Sequence, residues 1–235
     1  PFFFLAWTTT PWTLPSNTAL AVGLNMRYSF IKTYNQYTNK PITVVLAKDL
    51  IKNVFSKNYI EVSSPNELQK FDGDPNKIPY IICQTLKGKD LTGLKYEQIW
   101  EESPAPVDNP ENAFRVIAGD FVTTDGGTGI VHTAPTFGMD DYRVALNATP
   151  PVPALLCFDD KGNKVPLVDL QGKFVDKIGR LSAKFVKNEY YPDGKYPEKS
   201  VDVEIAIKLK EDNLAFRVEK HTHSYPHCWR TDKPV

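Results

Sequence analysis

Alternating apolar and polar positions predict a chain built mainly from β-strands. Short runs rich in β-branched and aromatic residues favour strands, because such side chains pack well on a pleated sheet. The segment 42–47 is a short run rich in β-branched residues, which is typical of a central strand in a sheet. The segments that carry strand patterns are 2–10, 28–34, 42–47, 78–85, 113–123 and 129–133.

Helical spacing occurs at fewer places. Apolar residues within 50–55 predict one short helix, and 140–147 predicts another with acids in its first turn, where the helix dipole favours them. Residues 201–209 alternate as a strand would, yet the same residues form i, i+4 pairs behind Ser200, a good N-cap residue. The pattern alone leaves both interpretations of this segment open.

Composition excludes disorder and a membrane span. The chain has 235 residues, of which 41% are hydrophobic and 12% aromatic, enough to bury a substantial core. The longest apolar runs, 2–7 and 155–158, fall far short of the ~20 residues that a membrane helix needs. Prolines number 19, about 8% against a usual ~5%, which favours a loop-rich, largely β fold.

Charge and cysteine content narrow the possible partners and compartment. The 28 basic and 28 acidic side chains cancel, whereas proteins that bind long nucleic acids usually carry a basic surplus. We therefore expect any RNA contact to be small or assisted by another domain. Cys83, Cys157 and Cys228 are few and widely spaced, which argues against a disulfide framework and for a reducing, cytoplasmic location.

The first candidate site is a threonine-rich segment. Its hydroxyls can each donate one hydrogen bond and accept two. On an extended chain Thr8 and Thr10 would point to one side and Thr9 to the other, and the following prolines would fold Thr13 and Asn17 back towards them. A threonine-rich edge strand followed by a proline turn is the structural alternative. The segment reads Trp7-Thr-Thr-Thr-Pro-Trp-Thr-Leu-Pro-Ser-Asn17.

The second candidate site begins with clustered glycines. These glycines let the backbone turn sharply or approach a ligand, but their spacing fits neither a phosphate loop nor a dinucleotide fingerprint. His132 and Asp141 lie at the two ends of a predicted strand–loop–helix step, a common place for binding groups. A single histidine on a strand is otherwise typical of a hydrogen-bonded core residue. The segment reads Gly126-Gly-Thr-Gly-Ile-Val-His-Thr-Ala-Pro-Thr-Phe-Gly-Met-Asp-Asp141.

A third cluster raises the question of zinc. Three histidines and a cysteine fall within 221–228, namely His221, His223, His227 and Cys228. Their spacing matches no usual structural zinc pattern, so polar contacts near a domain junction are the favoured interpretation and no metal is assigned. The sequence shows no Gly-x-Ser-x-Gly elbow and no Cys–His pair at a helix start. If the chain is a hydrolase, we expect water to be the nucleophile.

Together the first two motifs resemble the editing domain, or CP1 insertion, of class I isoleucyl-tRNA synthetases. In the related valyl and leucyl enzymes the first motif looks like Thr-Thr-Arg-Pro, whereas here Thr10 is followed by proline and Trp12, as in the isoleucyl branch. The closing segment 223–230 resembles the strand by which that insertion returns to the synthetic core, and the segments 186–191 and 201–210 are similar to the eukaryotic cytosolic form. The resemblance therefore covers essentially the whole chain.

The resemblance implies an α+β, mainly β fold: a β-barrel decorated with peripheral helices, in which the segment from Val201 is helical. It implies that residues 1–235 form a single editing domain cut from a longer synthetase chain. Both ends, about 1–6 and 224–235, would be strands leading to the catalytic core.

The resemblance also implies hydrolytic proofreading. Water would attack mischarged Val-tRNA(Ile), and valyl-adenylate, in a pocket that excludes isoleucine by size. The implied partners are the valine-charged 3′ end of tRNA(Ile), valyl-adenylate and the rest of the synthetase, with the chain acting as a monomer. No cofactor is expected here, since ATP would serve the synthetic domain. The alternatives are a non-catalytic insert that binds the tRNA 3′ end and a zinc-dependent hydrolase.

Residue roles follow from the same resemblance. Asp141 would hold the α-ammonium of the substrate, and an ordinary aspartate, with a pKa near 3.9, is ionised at neutral pH. Thr8, Thr9 and Thr10 would surround the terminal adenosine and the attacking water, with Asn17 near that water. A general base is not assigned, and a hydroxyl of the terminal ribose would assist. The residues expected to contact the amino-acid side chain or line its pocket are Trp7, Trp12, Thr13, His132, Ala134 and Phe137.

Overall fold

A computed structural model describes residues 1–220 and 228–230, apart from the side chain at position 193. Strands and short helices alternate through these residues, which confirms the α+β class. The strands are β1 (Phe3–Phe4), β2 (Ala19–Val22), β3 (Arg27–Tyr34), β4 (Pro41–Ala47), β5 (Tyr59–Glu61), β6 (Ile78–Lys87), β7 (Arg115–Ala118), β8 (Ile130–Thr133), β9 (Leu156–Phe158) and β10 (Lys164–Pro166).

The helices are short. The α-helices are α1 (Ile51–Val54), α2 (Pro65–Leu68), α3 (Met139–Asn147) and α4 (Val201–Glu211). Short 3-10 helices lie at Pro11–Ser16, Lys48–Leu50, Gly88–Asp90, Pro110–Asn112, Gly179–Leu181, Asn188–Tyr190 and Pro192–Gly194. Within the part of the chain that the structure describes, no helix combines the length and apolar character needed to cross a membrane.

The strands of the described residues form three sheets. The largest has the order β1-β4-β3-β6-β5, with β3 antiparallel to both of its neighbours. A three-stranded sheet has β2 in its centre, parallel to β7 and antiparallel to β8, and β9 pairs with β10 as a hairpin. No sheet among residues 1–220 and 228–230 closes on itself, so the predicted barrel is not confirmed.

Four predicted strands are confirmed: 28–34, 42–47, 78–85 and 129–133. The β-branched run at 42–47 does lie inside a sheet, because β4 pairs with β1 on one side and β3 on the other. The short helix within 50–55 and the helix at 140–147 are confirmed as α1 and α3.

Two predicted strands are wrong in extent. Segment 2–10 is a strand only at Phe3–Phe4, because Pro11 fixes the backbone for a 3-10 turn and the preceding residues leave the sheet. Segment 113–123 is a strand only at Arg115–Ala118, since its partner β2 ends at Val22, opposite Ala118. The other residues of both segments have a strand-like pattern of side chains but no neighbouring strand to pair with.

Packing decides the structure of the segment that the pattern left open. Val201, Ile205 and Leu209 are buried at helical spacing, whereas Val203 is 46% exposed. A strand would have placed Val203 on the same face as Val201 and Ile205. The helix is capped as expected, since the Ser200 side chain accepts a hydrogen bond from the Val203 N–H at 3.4 Å. The segment is therefore α4.

The N-terminal residues join the large sheet through β1, which is parallel to β4, and through the Leu5 N–H, which donates to the Val45 carbonyl at 2.9 Å. The C-terminal strand expected at about 224–235 falls mostly outside the described residues. That these two ends lead to a catalytic core stays a prediction.

The two larger sheets meet at Gly129. Its φ is +71°, and a Cβ at this position would lie 2.4 Å from the Ala47 Cβ. The Ala47 N–H donates to the Thr128 carbonyl at 2.9 Å, and the Tyr28 hydroxyl donates to the Gly129 carbonyl at 2.8 Å. Glycine at 129 therefore permits β8 to approach β4 closely.

We predict that Gly129→Ala lowers the free energy of unfolding by about 2–5 kcal/mol, because it combines a left-handed backbone with a steric clash. Gly162→Ala is the matched control, since Gly162 has a φ of +81° and nothing within 4 Å of its would-be Cβ. Urea unfolding of the three proteins checks this prediction. Equal losses for the two substitutions would show that the contact with Ala47 is unimportant.

Candidate functional site

The fold brings the two sequence motifs into contact. Trp7 forms a parallel bridge with Val131, and the rings of Trp12 and Phe137 meet edge to face with centroids 4.9 Å apart. Thr13 Oγ1 lies 2.9 Å from Nε2 of His132, which is 119 positions away in the sequence. The threonine-rich segment therefore lies across β8 and the loop that leads into α3.

The turn that places Thr13 follows from the local sequence. Pro11 occupies the first position of the 3-10 helix, where its missing N–H has no consequence and its fixed φ suits the turn. The Thr13 N–H donates to the Thr10 carbonyl at 3.1 Å, and the Thr13 hydroxyl donates to the same carbonyl at 2.9 Å. The prolines thus fold Thr13 back towards the threonines, as the sequence predicts.

His132 is buried and hydrogen-bonded through both ring nitrogens. Because the Thr13 hydroxyl donates its only hydrogen to the Thr10 carbonyl, it must accept from Nε2–H of His132. Nδ1 then accepts from the Asn17 amide nitrogen, 2.9 Å away. The network fixes the neutral Nε2–H tautomer, and burial lowers the pKa of His132 to about 4.

Asn17 is held as tightly as His132. Its amide nitrogen also donates to the Ala19 carbonyl at 2.8 Å and to the Thr133 carbonyl at 3.3 Å. Its amide oxygen accepts from the Tyr96 hydroxyl at 2.6 Å, and burial raises the pKa of Tyr96 well above its usual value. Both ends of the Asn17 amide therefore have partners within the fold, and its place beside the attacking water stays a prediction.

Sequence reasoning missed Tyr96. It follows an irregular segment 79 positions from Asn17 and belongs to no motif. The only sequence signal is the general tendency of a buried tyrosine hydroxyl to find a partner, which does not say which partner it finds.

Asp141 lies in the first turn of α3, and its carboxylate folds back towards β8. Oδ2 accepts the Ala134 N–H at 2.9 Å, whereas Oδ1 has no hydrogen-bond partner among the described residues. Burial raises the pKa of Asp141 and the neighbouring Asp140 adds to the rise, while the Ala134 N–H opposes it. A Cβ on Gly138 would lie 2.8 Å from the Asp141 carboxylate, so glycine makes room for it. One carboxylate oxygen is thus anchored and the other remains open to a cation.

The three consecutive threonines are half-buried. Thr8 Oγ1 accepts from the Thr10 N–H at 3.0 Å and lies 3.4 Å from Thr10 Oγ1, so these two side chains share one side, as predicted. Among the described residues the Thr9 hydroxyl makes no hydrogen bond. The segment therefore presents hydroxyls to a partly accessible surface.

The remaining predicted pocket residues do not share one environment. Ala134 is buried beside Asp141, and Phe137 packs on Trp12. Trp7 is 53% exposed and lines a shallow cavity of about 120 Å³ together with Phe121 and residues from the glycine segment. None of the other predicted substrate-binding residues lines that cavity.

The cluster considered for zinc is only partly described. His221, His223 and His227 lie outside the described residues, and Cys228 lies at their edge. Elsewhere, within 1–220 and 228–230, no group of three or more histidine, cysteine, aspartate or glutamate side chains could hold a metal ion.

Comparison with known proteins relates the whole chain to synthetases. It is 51% identical over 244 residues to the isoleucine–tRNA ligase of Cytophaga hutchinsonii and 47% identical over 250 residues to that of Bacteroides fragilis. Each alignment covers 99% of this chain and 21% of the relative. Isoleucine–tRNA ligase 2 of Bacillus anthracis is 36% identical over 233 residues, with 99% and 17% coverage.

Two further comparisons add little. No protein-family model matches the chain. The crystal structure of GlLeuRS-CP1 gives a TM-score of 0.39 and 20% identity, covering 61% of this chain and 43% of that chain.

Nearly all of this chain is therefore homologous to one segment of aminoacyl-tRNA synthetases. The synthetases concerned are bacterial isoleucine–tRNA ligases, and the chain spans about a fifth of their length. The predicted similarity to the eukaryotic cytosolic form receives no support from these bacterial relatives.

The buried imidazole predicts a specific pH dependence of stability. Folded His132 stays neutral down to a pH of about 4, whereas an unfolded histidine titrates near 6.5. Between these values the unfolded state binds one more proton, so the free energy of unfolding should rise with pH and level off above about 6.5. The expected rise is on the order of 3 kcal/mol.

Urea titrations between pH 4.5 and 7.5, on the wild type and on His132→Gln, check this prediction. Glutamine keeps a hydrogen-bonding group but does not titrate, and the other histidines remain in both proteins. The free energy of unfolding should rise more steeply with pH in the wild type than in His132→Gln, by the slope that one bound proton contributes. Parallel curves would mean that His132 is not buried in the neutral form.

Proposed function

We propose that this chain is the editing domain of an isoleucine–tRNA ligase and hydrolyses the ester bond of Val-tRNA(Ile). One observation carries the proposal: the two motifs that resemble the family's editing site contact each other directly, through the Thr13–His132 hydrogen bond. The 99% coverage of this chain by isoleucine–tRNA ligases supports the same conclusion. Valyl-adenylate is a second proposed substrate, because it carries the same aminoacyl group.

A physical need explains such an activity. A pocket that accepts isoleucine loses little when it binds valine, since one methylene in an apolar pocket is worth only about 10- to 200-fold in discrimination. A second site that admits only the smaller side chain supplies the missing selectivity. The proposed partners are accordingly the charged 3′ end of tRNA(Ile) and the remainder of the ligase.

The proposed reaction is a hydrolysis. The oxygen of a water molecule attacks the ester carbonyl, the bond to the ribose oxygen breaks, and that oxygen takes a proton, giving free valine and tRNA. Asp141 would bind the α-ammonium through its open Oδ1, while the Ala134 N–H holds Oδ2. His132 is not proposed as the base, because its Nδ1 lone pair is already occupied by Asn17.

Size exclusion would come from Thr13 and His132. Both are buried, and their hydrogen-bonding groups are committed to each other, to the Thr10 carbonyl and to Asn17. A surface braced in this way cannot yield to an extra methylene without breaking hydrogen bonds. We therefore propose that rejection of isoleucine is steric.

Asp141→Asn should lower the rate of Val-tRNA(Ile) deacylation by roughly 10- to 150-fold, the value of a charge-assisted hydrogen bond. Asparagine keeps the size of the side chain and an acceptor for the Ala134 N–H but loses the charge. The assay uses this chain, and also the Cytophaga hutchinsonii ligase with this chain in place of its matching segment.

Asp140→Asn is the matched control, because the Asp140 side chain is exposed and its one ion pair among the described residues is the 3.6 Å contact with Arg143. Loss of its charge removes a contribution that raises the pKa of Asp141, so Asp141 stays ionised at neutral pH. Asp140→Asn should leave the rate unchanged. If Asp141→Asn is as active as the wild type, the ammonium-binding role is wrong. If this chain and the ligase that carries it, both without substitutions, bind Val-tRNA(Ile) but never hydrolyse it, the chain is a non-catalytic insert. A rate abolished by a chelator would favour a zinc-dependent hydrolase instead.

Three substitutions at Thr13 separate size from hydrogen bonding. Thr13→Ser keeps the hydroxyl but removes a methyl, Thr13→Val keeps the volume but removes the hydroxyl, and Thr13→Ala removes both. If Thr13 sets the size limit, the Thr13→Ser and Thr13→Ala variants should begin to hydrolyse Ile-tRNA(Ile), because the cleared space accepts a methylene whose burial is worth about 0.8 kcal/mol. The Thr13→Val variant should continue to exclude Ile-tRNA(Ile).

Parallel deacylation of Val-tRNA(Ile) and Ile-tRNA(Ile) measures the effect. Thr13→Val and Thr13→Ala should also be less stable, by about 1–3 kcal/mol, because they leave the buried Nε2–H of His132 without an acceptor. Should none of the three hydrolyse Ile-tRNA(Ile), the size limit belongs to other residues.

A further inference from the structure

The first turn of α4 contacts the threonine-rich segment from the opposite end of the chain. Asp202 Oδ1 accepts the backbone N–H of Trp12 at 3.0 Å, across 190 positions of sequence. Its other oxygen, Oδ2, lies 3.4 Å from the Lys187 ammonium. The side chain of Asp202 is only 27% exposed, so this contact is largely shielded from water.

The Trp12 N–H needs a partner from outside its own turn. It is the first N–H of the 3-10 helix, because the preceding Pro11 has none, and such groups have no acceptor within the helix. Thr10, at the N-cap position, makes no side-chain capping hydrogen bond. Asp202 therefore performs the capping role that a local serine, threonine or aspartate usually performs.

Asp202 is itself fixed in place. It lies one residue after Val201, which is buried in the core with Ile205 and Leu209, and Ser200 caps the same helix. Lys187 holds the second carboxylate oxygen. The Trp12 N–H is thus attached to a rigid helix.

The attached segment carries the groups proposed for hydrolysis. Trp12 lies between Thr10 and Thr13, and its ring packs on Phe137, just before α3. A displacement of the Trp12 backbone would therefore move the threonines relative to His132 and Asp141. Misplacement of reacting groups by about 1 Å can cost on the order of 100-fold in rate.

We propose that Asp202 is a positioning residue of the editing site, which holds the threonine-rich segment against β8 and α3 through the Trp12 N–H. This inference rests on the proposed function. It assigns to α4 a part in setting the geometry of the site from outside both motifs.

The test compares Asp202→Ala, Asp202→Asn and Glu204→Ala in the same deacylation assay. Alanine removes the acceptor, so kcat for Val-tRNA(Ile) should fall roughly 10- to 100-fold while KM changes little. Asparagine keeps an acceptor oxygen and should restore most of the rate. Glu204 is the matched control, since it lies in the same turn of α4 as Asp202 and forms a 2.6 Å ion pair with Lys184. Among the described residues it has no hydrogen bond or ion pair with the threonine-rich segment.

Hydrogen exchange of the Trp12 amide is the second measurement, and it does not depend on activity. Exchange should accelerate in Asp202→Ala and stay slow in Asp202→Asn and Glu204→Ala. If Asp202→Ala does not fold, Asp202→Glu replaces it. The longer side chain keeps the charge but displaces the acceptor by one methylene, so kcat should again fall.

Several outcomes would overturn the inference. One is an equal loss of kcat in Asp202→Ala and Glu204→Ala, which would indicate a purely structural role. Another is an asparagine variant as slow as alanine, and a third is unchanged exchange of the Trp12 amide. A wild type without deacylase activity would instead refute the proposed function, while amide exchange would still test the cap.

Discussion

The site depends on one buried, neutral imidazole. His132 lies at the point where β8 meets the 3-10 helix, and each of its ring nitrogens has a partner from the first motif. A buried imidazole without partners would lose the hydrogen bonds it makes in water, which is unfavourable. Thr13 and Asn17 satisfy both nitrogens, so the same two contacts stabilise the fold and bring the motifs together.

The network extends in both directions from His132. On one side it reaches the Thr10 carbonyl through the Thr13 hydroxyl, and on the other it reaches the Tyr96 hydroxyl through the Asn17 amide. Because every hydroxyl hydrogen in it has a single acceptor, the direction of each hydrogen bond is determined. Such fully satisfied networks specify one arrangement of side chains.

Much of the fold could be predicted from local patterns. Strands β3 and β4 have strong β-branched periodicity and pair along their whole length, so pattern and pairing agree. The strand expected at 2–10 shows the opposite case: its residues favour a strand, but only Phe3–Phe4 finds a neighbour. Whether 201–211 forms a helix or a strand depended on which of its apolar residues pack against the core, and periodicity alone does not contain that information.

The candidate site was predictable in the same uneven way. His132 and Asp141 stand out in the sequence because they are polar residues at the two ends of a predicted strand–loop–helix step, where binding groups are common. Tyr96 and Asp202 do not stand out in the sequence, because neither belongs to the two candidate motifs. Tyr96 contacts Asn17, 79 positions away, and Asp202 contacts Trp12, 190 positions away. Contacts of this kind depend on the tertiary fold, which one sequence does not display.

The long sequence separation of these contacts also bears on how the domain folds. The β3–β4 pair joins neighbouring segments, whereas the contacts of Thr13, Asn17 and Trp12 close loops of 115 to 190 residues. Loop closure of this kind slows folding, because its entropy is lost before the contacts form. The β2–β8 pairing, in which Ala19 lies opposite Thr133, closes a loop of similar length, so we expect the threonine-rich segment and the three-stranded sheet to form together.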